Sequence, residues 1–391
     1  MFLTKEEEAV LSGEAGETKR KAMEILVAVG KIYRADKLIP VSSVQVSGVS
    51  YKTIGDAGLG FIKSWASSGA RAVVPSYLNP AGMDLRDWKK MGFPESFAEK
   101  QLEIIRVYTS MGITPTCTCA PYQIGVRPGL GEHIAWAESN TVVFANSVLG
   151  ARTNRESAVS ALASALIGKT ANFGLHLDGH RKASVVVSVE APMKKFSDYG
   201  ALGLLVGEKA KGGVPAFKGL PKTTTEDNLK SLGAAMAASG SVGLFYAEGL
   251  TPEFVLADSP EQITVTQEEI DGKREQMRTE QGQVGLVAIG CPHASLDEIK
   301  RVSEVVAGRK LEVRLWVCTS RENKEKAAEL GYNKVIEDAG GLVVADTCMV
   351  VAPIESIGVK STGVNSGKAA KYLPGFCAQK ILFDDLERLL E

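Results

Sequence analysis

The chain has no long apolar run, no excess of one charge and no C-x2-C cysteine pair, and each absence removes a class of function. No apolar stretch approaches the roughly 20 residues needed to span a bilayer, so no membrane partner is expected. The 45 basic residues nearly balance the 46 acidic ones, without long runs of either sign, which leaves no electrostatic footprint for nucleic acid or an anionic membrane. The missing C-x2-C pair argues against a zinc ribbon, a thioredoxin-like dithiol or a ferredoxin-like run. No G-x-S-x-G elbow supports a Ser-His-Asp hydrolase, and no G-x-G-x-x-G opens a helix after a strand for a dinucleotide. Solenoid repeats and low-complexity tracts are also absent. The opening MFLTKEEEAVL places three glutamates where a signal peptide needs a basic and then an apolar segment. Instead Thr4 and Glu7 have the capping-box spacing of a helix start. A cytoplasmic protein is expected, in which thiols stay reduced, so the six cysteines have metal, catalytic or merely buried roles.

At 391 residues the chain exceeds one ordinary hydrophobic core, and two or three packed subdomains are expected. Forty glycines, with alanine-rich helical stretches alternating with short Val/Ile/Leu runs, give the texture of an α/β protein with buried strands. The last third shows this most clearly. VGLVAIG (284–290) reads as a strand, and Ser295 with Glu298 caps the helix that follows Cys-Pro-His. LEVRLWV (311–317) leads to Cys318 and a charged helix, and GLVVAD (341–346) leads to Thr347 and Cys348. Successive β-α units at this spacing make a parallel sheet. The expected division is 1–155, 156–283 and 284–391, with soft borders.

Cys119, Cys291 and Cys348 lie far apart in sequence, yet each sits where a strand-like run gives way to a turn. That placement suggests an iron-sulfur cluster assembled by folding, in which three thiolates leave one iron of a 4Fe-4S cube open. Ligands of parallel sheets bind beyond the carboxyl ends of the strands, a test that Cys291, Cys318 and Cys348 all pass. In TCTCAPYQ, Cys117 and Cys119 share a face if extended, whereas a turn between them favours one. The competing reading makes all six cysteines small buried hydrophobes.

Other segments offer weaker signals. STGVNSGKAAKYL (361–373) is a glycine-punctuated loop entering a helix with Lys368 in its first turn, suited to an anion or simply a capped helix start. It fails the Walker pattern after Lys368. SGVSYKTIGDAG (47–58) presents Ser50 and backbone amides in a similar way. HLDGH (176–180) offers His176, Asp178 and His180 to a metal, although Gly179 reads as a turn, and Arg181 just after it suits a carboxylate.

Together SGVSYKTIGDAG, SYLNPAGMD, TCAPYQ, WAESNTVVFANSVLGARTNRES, GCPHAS, DTCMVVAP and the NSGKA loop resemble the aconitase X family over nearly the whole chain. The resemblance implies an aconitase-like fold of three α/β subdomains around a cleft. The swivelling domain that closes this cleft is expected on a small partner subunit, together with the serine that abstracts the substrate proton, so this chain supplies no catalytic base of its own. Cys119, Cys291 and Cys348 become the cluster ligands by motif, unlike ordinary aconitases with their close cysteine pair, while Cys318 and Cys377 become structural. The substrate cradle is expected to draw on Gly48, Val49, Ser50, Asn79, Pro80, Glu138, Ser139 and Lys368, with Arg152 and Arg181 at its anionic ends. The implied reaction removes water from (R)-5-phosphomevalonate to give trans-anhydromevalonate 5-phosphate in an archaeal mevalonate pathway. Two alternatives stand beside it: dehydration of cis-3-hydroxyproline or another hydroxy acid, and a non-enzymatic binding or scaffold subunit.

Overall fold

The computed structural model describes residues 1–391 and contains three α/β units. In the first, β1 (Leu38–Pro40) pairs antiparallel with β5 (Lys169–Ala171), and a parallel sheet of order β3-β2-β4 comprises β2 (Val44–Val46), β3 (Ser76–Leu78) and β4 (Ala135–Trp136). The second unit holds a parallel sheet of order β8-β7-β6-β9, built from β6 (Ala183–Val189), β7 (Pro215–Lys218), β8 (Tyr246–Ala247) and β9 (Leu256–Val265). The third has the parallel order β12-β11-β10-β13-β14, from β10 (Leu286–Ala294), β11 (Arg314–Thr319), β12 (Gly341–Ala345), β13 (Ser361–Val364) and β14 (Lys380–Phe383). This is the α/β class that the alternating sequence pattern implies. The helix Ala158–Ile167, which the sequence reading assigns to the middle unit, packs on the helix Glu17–Ile32 and on β2, in the first unit's core. No helix is long and apolar enough to cross a membrane.

Chain order makes β10 a switch point: β11 and β12 add to one side of it, and β13 and β14 to the other. Ligands of such sheets bind at the switch point, toward the carboxyl ends of the strands, and Cys291 in the last part of β10 and the 365–368 loop after β13 lie on that side. The first unit repeats the arrangement around β2. Its strands β2, β3 and β4 lead respectively into Gly48–Ser50, Asn79–Pro80 and Glu138.

Both capping boxes foreseen in the sequence form, at Thr4 with Glu7 and at Ser295 with Glu298. One local feature differs from expectation. The strand β10 does not stop before Cys291 but continues to Ala294, with its register against β11 shifting between Ile289 and Ala294. Gly290 makes this bulge possible at φ +92°, where a Cβ would lie 2.0 Å from the Cys318 carbonyl oxygen. Cys318, by contrast, is a paired residue inside β11.

Candidate active site

The first and third units meet edge to loop. Ala81 N–H donates to the Asp346 carbonyl (2.8 Å) and pairs with Thr347 in an isolated parallel bridge. Thr118 N–H donates to the Leu78 carbonyl (3.3 Å), so the Cys119 segment runs beside the chain leading to Asn79. Ser50 Oγ donates to the Val351 carbonyl (2.8 Å), in the turn where Val351 and Ala352 N–H both bond the Cys348 carbonyl (3.0 Å each). On the same seam lie Cys119, Cys291, Cys348 and Lys368, all buried, and Glu138, whose side chain is 11% exposed.

The cysteines separate by local geometry. Cys117 sits at φ +44° and its side chain joins the first unit's core, whereas Cys119 Sγ accepts from His293 N–H (3.2 Å). Cys318 is fully buried within its strand. Cys377 lies in the helix Gly367–Cys377, with its Sγ 3.1 Å from Lys52 Nζ.

Glu138 caps the helix Ser139–Ser147, accepting from Asn140 N–H (2.8 Å) and Thr141 N–H (3.0 Å). It also accepts from Ser139 Oγ (3.1 Å) and forms a buried ion pair with Lys368. Burial raises the Glu138 carboxyl, but Lys368 outweighs it and holds the group below the usual carboxylate range. Burial likewise works against the Lys368 ammonium, yet Glu138 and the thiols of Cys291, Cys119 and Cys348 keep it protonated. Among the thiols, the hydrogen bond from Cys291 holds Cys348 below the ordinary thiol range against burial, with Lys368 assisting. Burial pushes Cys119 up, and the charge of Glu138 adds to that. A thiolate is what a metal binds, and the lysine is the cation that offsets it.

No three Cys, His, Asp or Glu side chains converge as ligands of a single ion do. Cys291 hydrogen-bonds Cys348, whose charge is felt by Cys119, and a 4Fe-4S cube would take one such thiolate per iron. Three buried side-chain oxygens beside them have no partner: Asn79 Oδ1, Asn140 Oδ1 and Thr347 Oγ1. A buried polar atom left unpaired costs about 1–3 kcal/mol, a cost that hydrogen bonds to a bound polar molecule would offset.

Of the remaining cradle residues, Gly48 stands at φ +76° with its carbonyl accepting from Tyr108 OH (3.2 Å). The Val49 carbonyl accepts from Gln101 Nε2 (2.8 Å). Pro80 is buried beside Asn79.

Arg152 and Arg181 do not join the site. Both pair with Glu253, at 2.8 and 3.1 Å, and Arg152 also pairs with Asp178 at 3.2 Å. Arg181 precedes β6, at the amino end of its sheet, and donates to Asn146 Oδ1 (3.1 Å). Asn146 lies near the carboxyl end of the helix that Glu138 caps, about 12 Å from Glu138 along the axis. In the HLDGH segment His176 Nδ1 lies 3.0 Å from His133 Nδ1, while His180 is exposed, so the segment gathers no metal site.

Three functional candidates escaped the sequence reading. Asn140 Nδ2 donates to the Cys119 carbonyl (2.8 Å) and to Tyr122 OH (2.9 Å). His293 is fully buried between the cysteine loops, and burial pushes its imidazole down to about 4. Arg155 is exposed, without a carboxylate in ion-pair range. Glu156 N–H bonds the Trp136 carbonyl (3.0 Å), which sets Arg155 beside the chain leading to Glu138, whose carboxyl feels its charge. The motif strings contained all three, but only the fold shows their neighbours.

Family models described as the aconitase X first, second and third domains match residues 1–179, 183–275 and 284–391. The chain is 51% identical to the phosphomevalonate dehydratase large subunit of Methanocaldococcus jannaschii, covering 100% of both chains. It is 35% identical to a cis-3-hydroxy-L-proline dehydratase of Pseudomonas aeruginosa, over 98% of this chain and 68% of that protein. A crystal structure of Thermococcus kodakaraensis aconitase X in its holo-form superimposes with a TM-score of 0.94 at 46% identity, covering 100% of this chain and 99% of the other.

Proposed function

The chain belongs to the aconitase X family, and from that premise we propose that it is the large, catalytic subunit of a phosphomevalonate dehydratase. Its reaction removes water from (R)-5-phosphomevalonate to give trans-anhydromevalonate 5-phosphate, within an archaeal mevalonate pathway in the cytoplasm. The observation carrying this reading is the end-to-end similarity to large subunits of that name. The bacterial hydroxyproline dehydratase is more distant and longer, which makes cis-3-hydroxyproline the second choice.

Cys119, Cys291 and Cys348 are the residues that would hold a 4Fe-4S cluster. When bound, such a cluster supplies Lewis acidity for the departing C3 hydroxyl, a poor leaving group on its own. The protein's own side chains do the rest. Lys368, held charged by Glu138, clamps the substrate carboxylate as enolate character develops beside the proton being removed. Ser50, Asn79, Asn140 and Thr347, with the backbone of Gly48 and Val49, hold the C3 hydroxyl and orient the chain. Arg155, exposed and without a counterion, takes the phosphate. Burial of Glu138 and Lys368 keeps bulk water from weakening the clamp. The small subunit brings the swivelling domain and a serine base to the open side of the site.

The test is anaerobic preparation of the chain with its small subunit, measuring iron, acid-labile sulfide and the visible spectrum, followed by assays on phosphomevalonate and on cis-3-hydroxyproline. The expected complex is brown, loses iron in Cys119→Ala, Cys291→Ala and Cys348→Ala, and prefers the phosphorylated substrate. An iron-free complex after reconstitution sinks the mechanism, and a preference for hydroxyproline replaces the substrate.

A further inference from the structure

His293 is a buried side chain that the proposed reaction does not use. Each of its four hydrogen-bonding groups meets a different residue. Its main-chain N–H donates to Cys119 Sγ (3.2 Å), and its carbonyl accepts from Lys230 Nζ (3.1 Å). Its ring reaches Thr118 Oγ1 from Nδ1 (2.9 Å) and the Thr347 carbonyl from Nε2 (2.7 Å). A carbonyl only accepts, so Nε2 carries the ring proton. Ala120 N–H already donates to Thr118 Oγ1 (3.0 Å), which leaves the threonine hydrogen for Nδ1. The ring is therefore a neutral bridge of fixed tautomer.

The residues it joins are the neighbours of the three thiols. Thr118 precedes Cys119, Thr347 precedes Cys348, and His293 itself follows Cys291 in the bulge that ends β10. Lys230 adds the second unit: fully buried on the helix Glu226–Gly240, it pairs with Asp227 (2.8 Å) and with Glu298. All three units thus converge on one residue.

We propose that His293 is a positioning residue that sets the spacing of the Cys119, Cys291 and Cys348 thiols, and so determines how firmly the chain retains an iron-sulfur cluster. The inference rests on the cluster reading above. Such supporting residues orient ligands without touching the metal or the substrate. The Cys119 thiolate also receives a main-chain donor whose direction depends on the ring staying in place, and hydrogen bonds to cluster sulfurs tune the potential.

The experiment uses the full-length chain with its small subunit, reconstituted anaerobically with iron and sulfide. Iron and sulfide per chain, the EPR spectrum of the reduced cluster, and the rate of iron release to EDTA are measured well below each variant's Tm. His293→Ala is expected to release iron about tenfold or more faster than wild type, the usual range for a lost supporting contact. His293→Gln, which keeps a donor for Thr347, falls between the two, and Thr118→Val changes the EPR spectrum while the iron stays bound. Ile299→Val, buried in the same unit, serves as the control: it lowers Tm but releases iron at the wild-type rate. If His293→Ala fails to fold, His293→Gln and Thr118→Val carry the test. Wild-type loading, spectrum and release in the His293 and Thr118 variants would overturn the inference, as would release rates that follow Tm in every variant including the control. An iron-free wild-type complex would overturn the cluster reading, and this inference with it.

Discussion

Arg155 and Lys368 are two cations at the site with opposite circumstances. Lys368 is buried against Glu138, while Arg155 is exposed and without an ion-pair partner. If Arg155 takes the phosphate, Arg155→Ala removes charged hydrogen bonds worth about 1.5–3 kcal/mol and lowers kcat/KM for phosphomevalonate about 10- to 150-fold, mostly through KM. Unchanged kinetics would place the phosphate elsewhere. Lys368→Met acts on stability as well as on rate, because it leaves Glu138 buried without its cation, a loss of roughly 3–5 kcal/mol near neutral pH. The pH dependence has a definite sign. In the wild type, Glu138 sits below its ordinary value of 4.5, so its contribution is present above that value and is lost as pH falls through the lowered one. Without Lys368, burial pushes the carboxyl up and the folded state takes a proton more readily than the unfolded one. Urea unfolding should then show the deficit of Lys368→Met to be largest at neutral pH and to narrow in acid. A pH-independent deficit would mean that Glu138 finds another cation, and Arg155 would be the first to examine.

At the scale of elements, the loop that reads as an anion cradle owes its glycine to helix packing. A Cβ on Gly367 would lie 2.5 Å from the Gly200 carbonyl oxygen, and one on Gly200 would lie 2.8 Å from the Gly367 nitrogen. The helix Gly367–Cys377 therefore crosses the helix Phe196–Ala210 backbone against backbone, and Lys368 is the next residue along. Gly367→Ala should cost about 1–3 kcal/mol of overpacking and displace Lys368 from Glu138. Urea unfolding together with the dehydration rate would check it, and wild-type values in both would show that the helices can separate freely. What sequence made legible here was local: capping boxes, the βα alternation, and the loops at strand carboxyl ends, since three- and four-residue spacings and strand lengths are written in neighbouring residues. The bulge at Cys291 was not legible, because it depends on Gly290 facing Cys318 on the adjacent strand. Nor was the fate of Arg152 and Arg181, whose partner Glu253 lies far along the chain. An arginine inside a family motif advertises charge, and only the fold says which carboxylate neutralises it.

At the scale of the molecule, the site is a seam between the first and third units, and a buried charge network holds it closed. Asp84, fully buried after β3, accepts from Ala345 N–H (2.9 Å) at the end of β12, from Arg321 (2.6 Å) and from Lys324 (2.9 Å). Arg321 also pairs with Asp346, which leads directly to Thr347 and Cys348. Lys324 is shared with Asp87 (2.8 Å). Burial works against the Asp84 carboxylate, but the Ala345 and Asp87 amides with Lys324 and Arg321 outweigh it and hold it well below the ordinary carboxylate range. Removing one member of such a network strands the rest, which typically costs about 3–5 kcal/mol. Asp84→Ala should therefore loosen the third unit from the first before either unfolds, turning one cooperative transition in urea into two and lowering iron loading in the assembled enzyme. Asp84→Asn keeps one acceptor oxygen but turns an amide toward Lys324 or Ala345 N–H, so its effect should lie between the two. A single transition at the wild-type midpoint in Asp84→Ala would mean that the seam is held by other contacts. Ser50 with Val351 and Lys52 with Glu355 would then be the ones to break, and the charge network would matter for placing Cys348 rather than for joining the units.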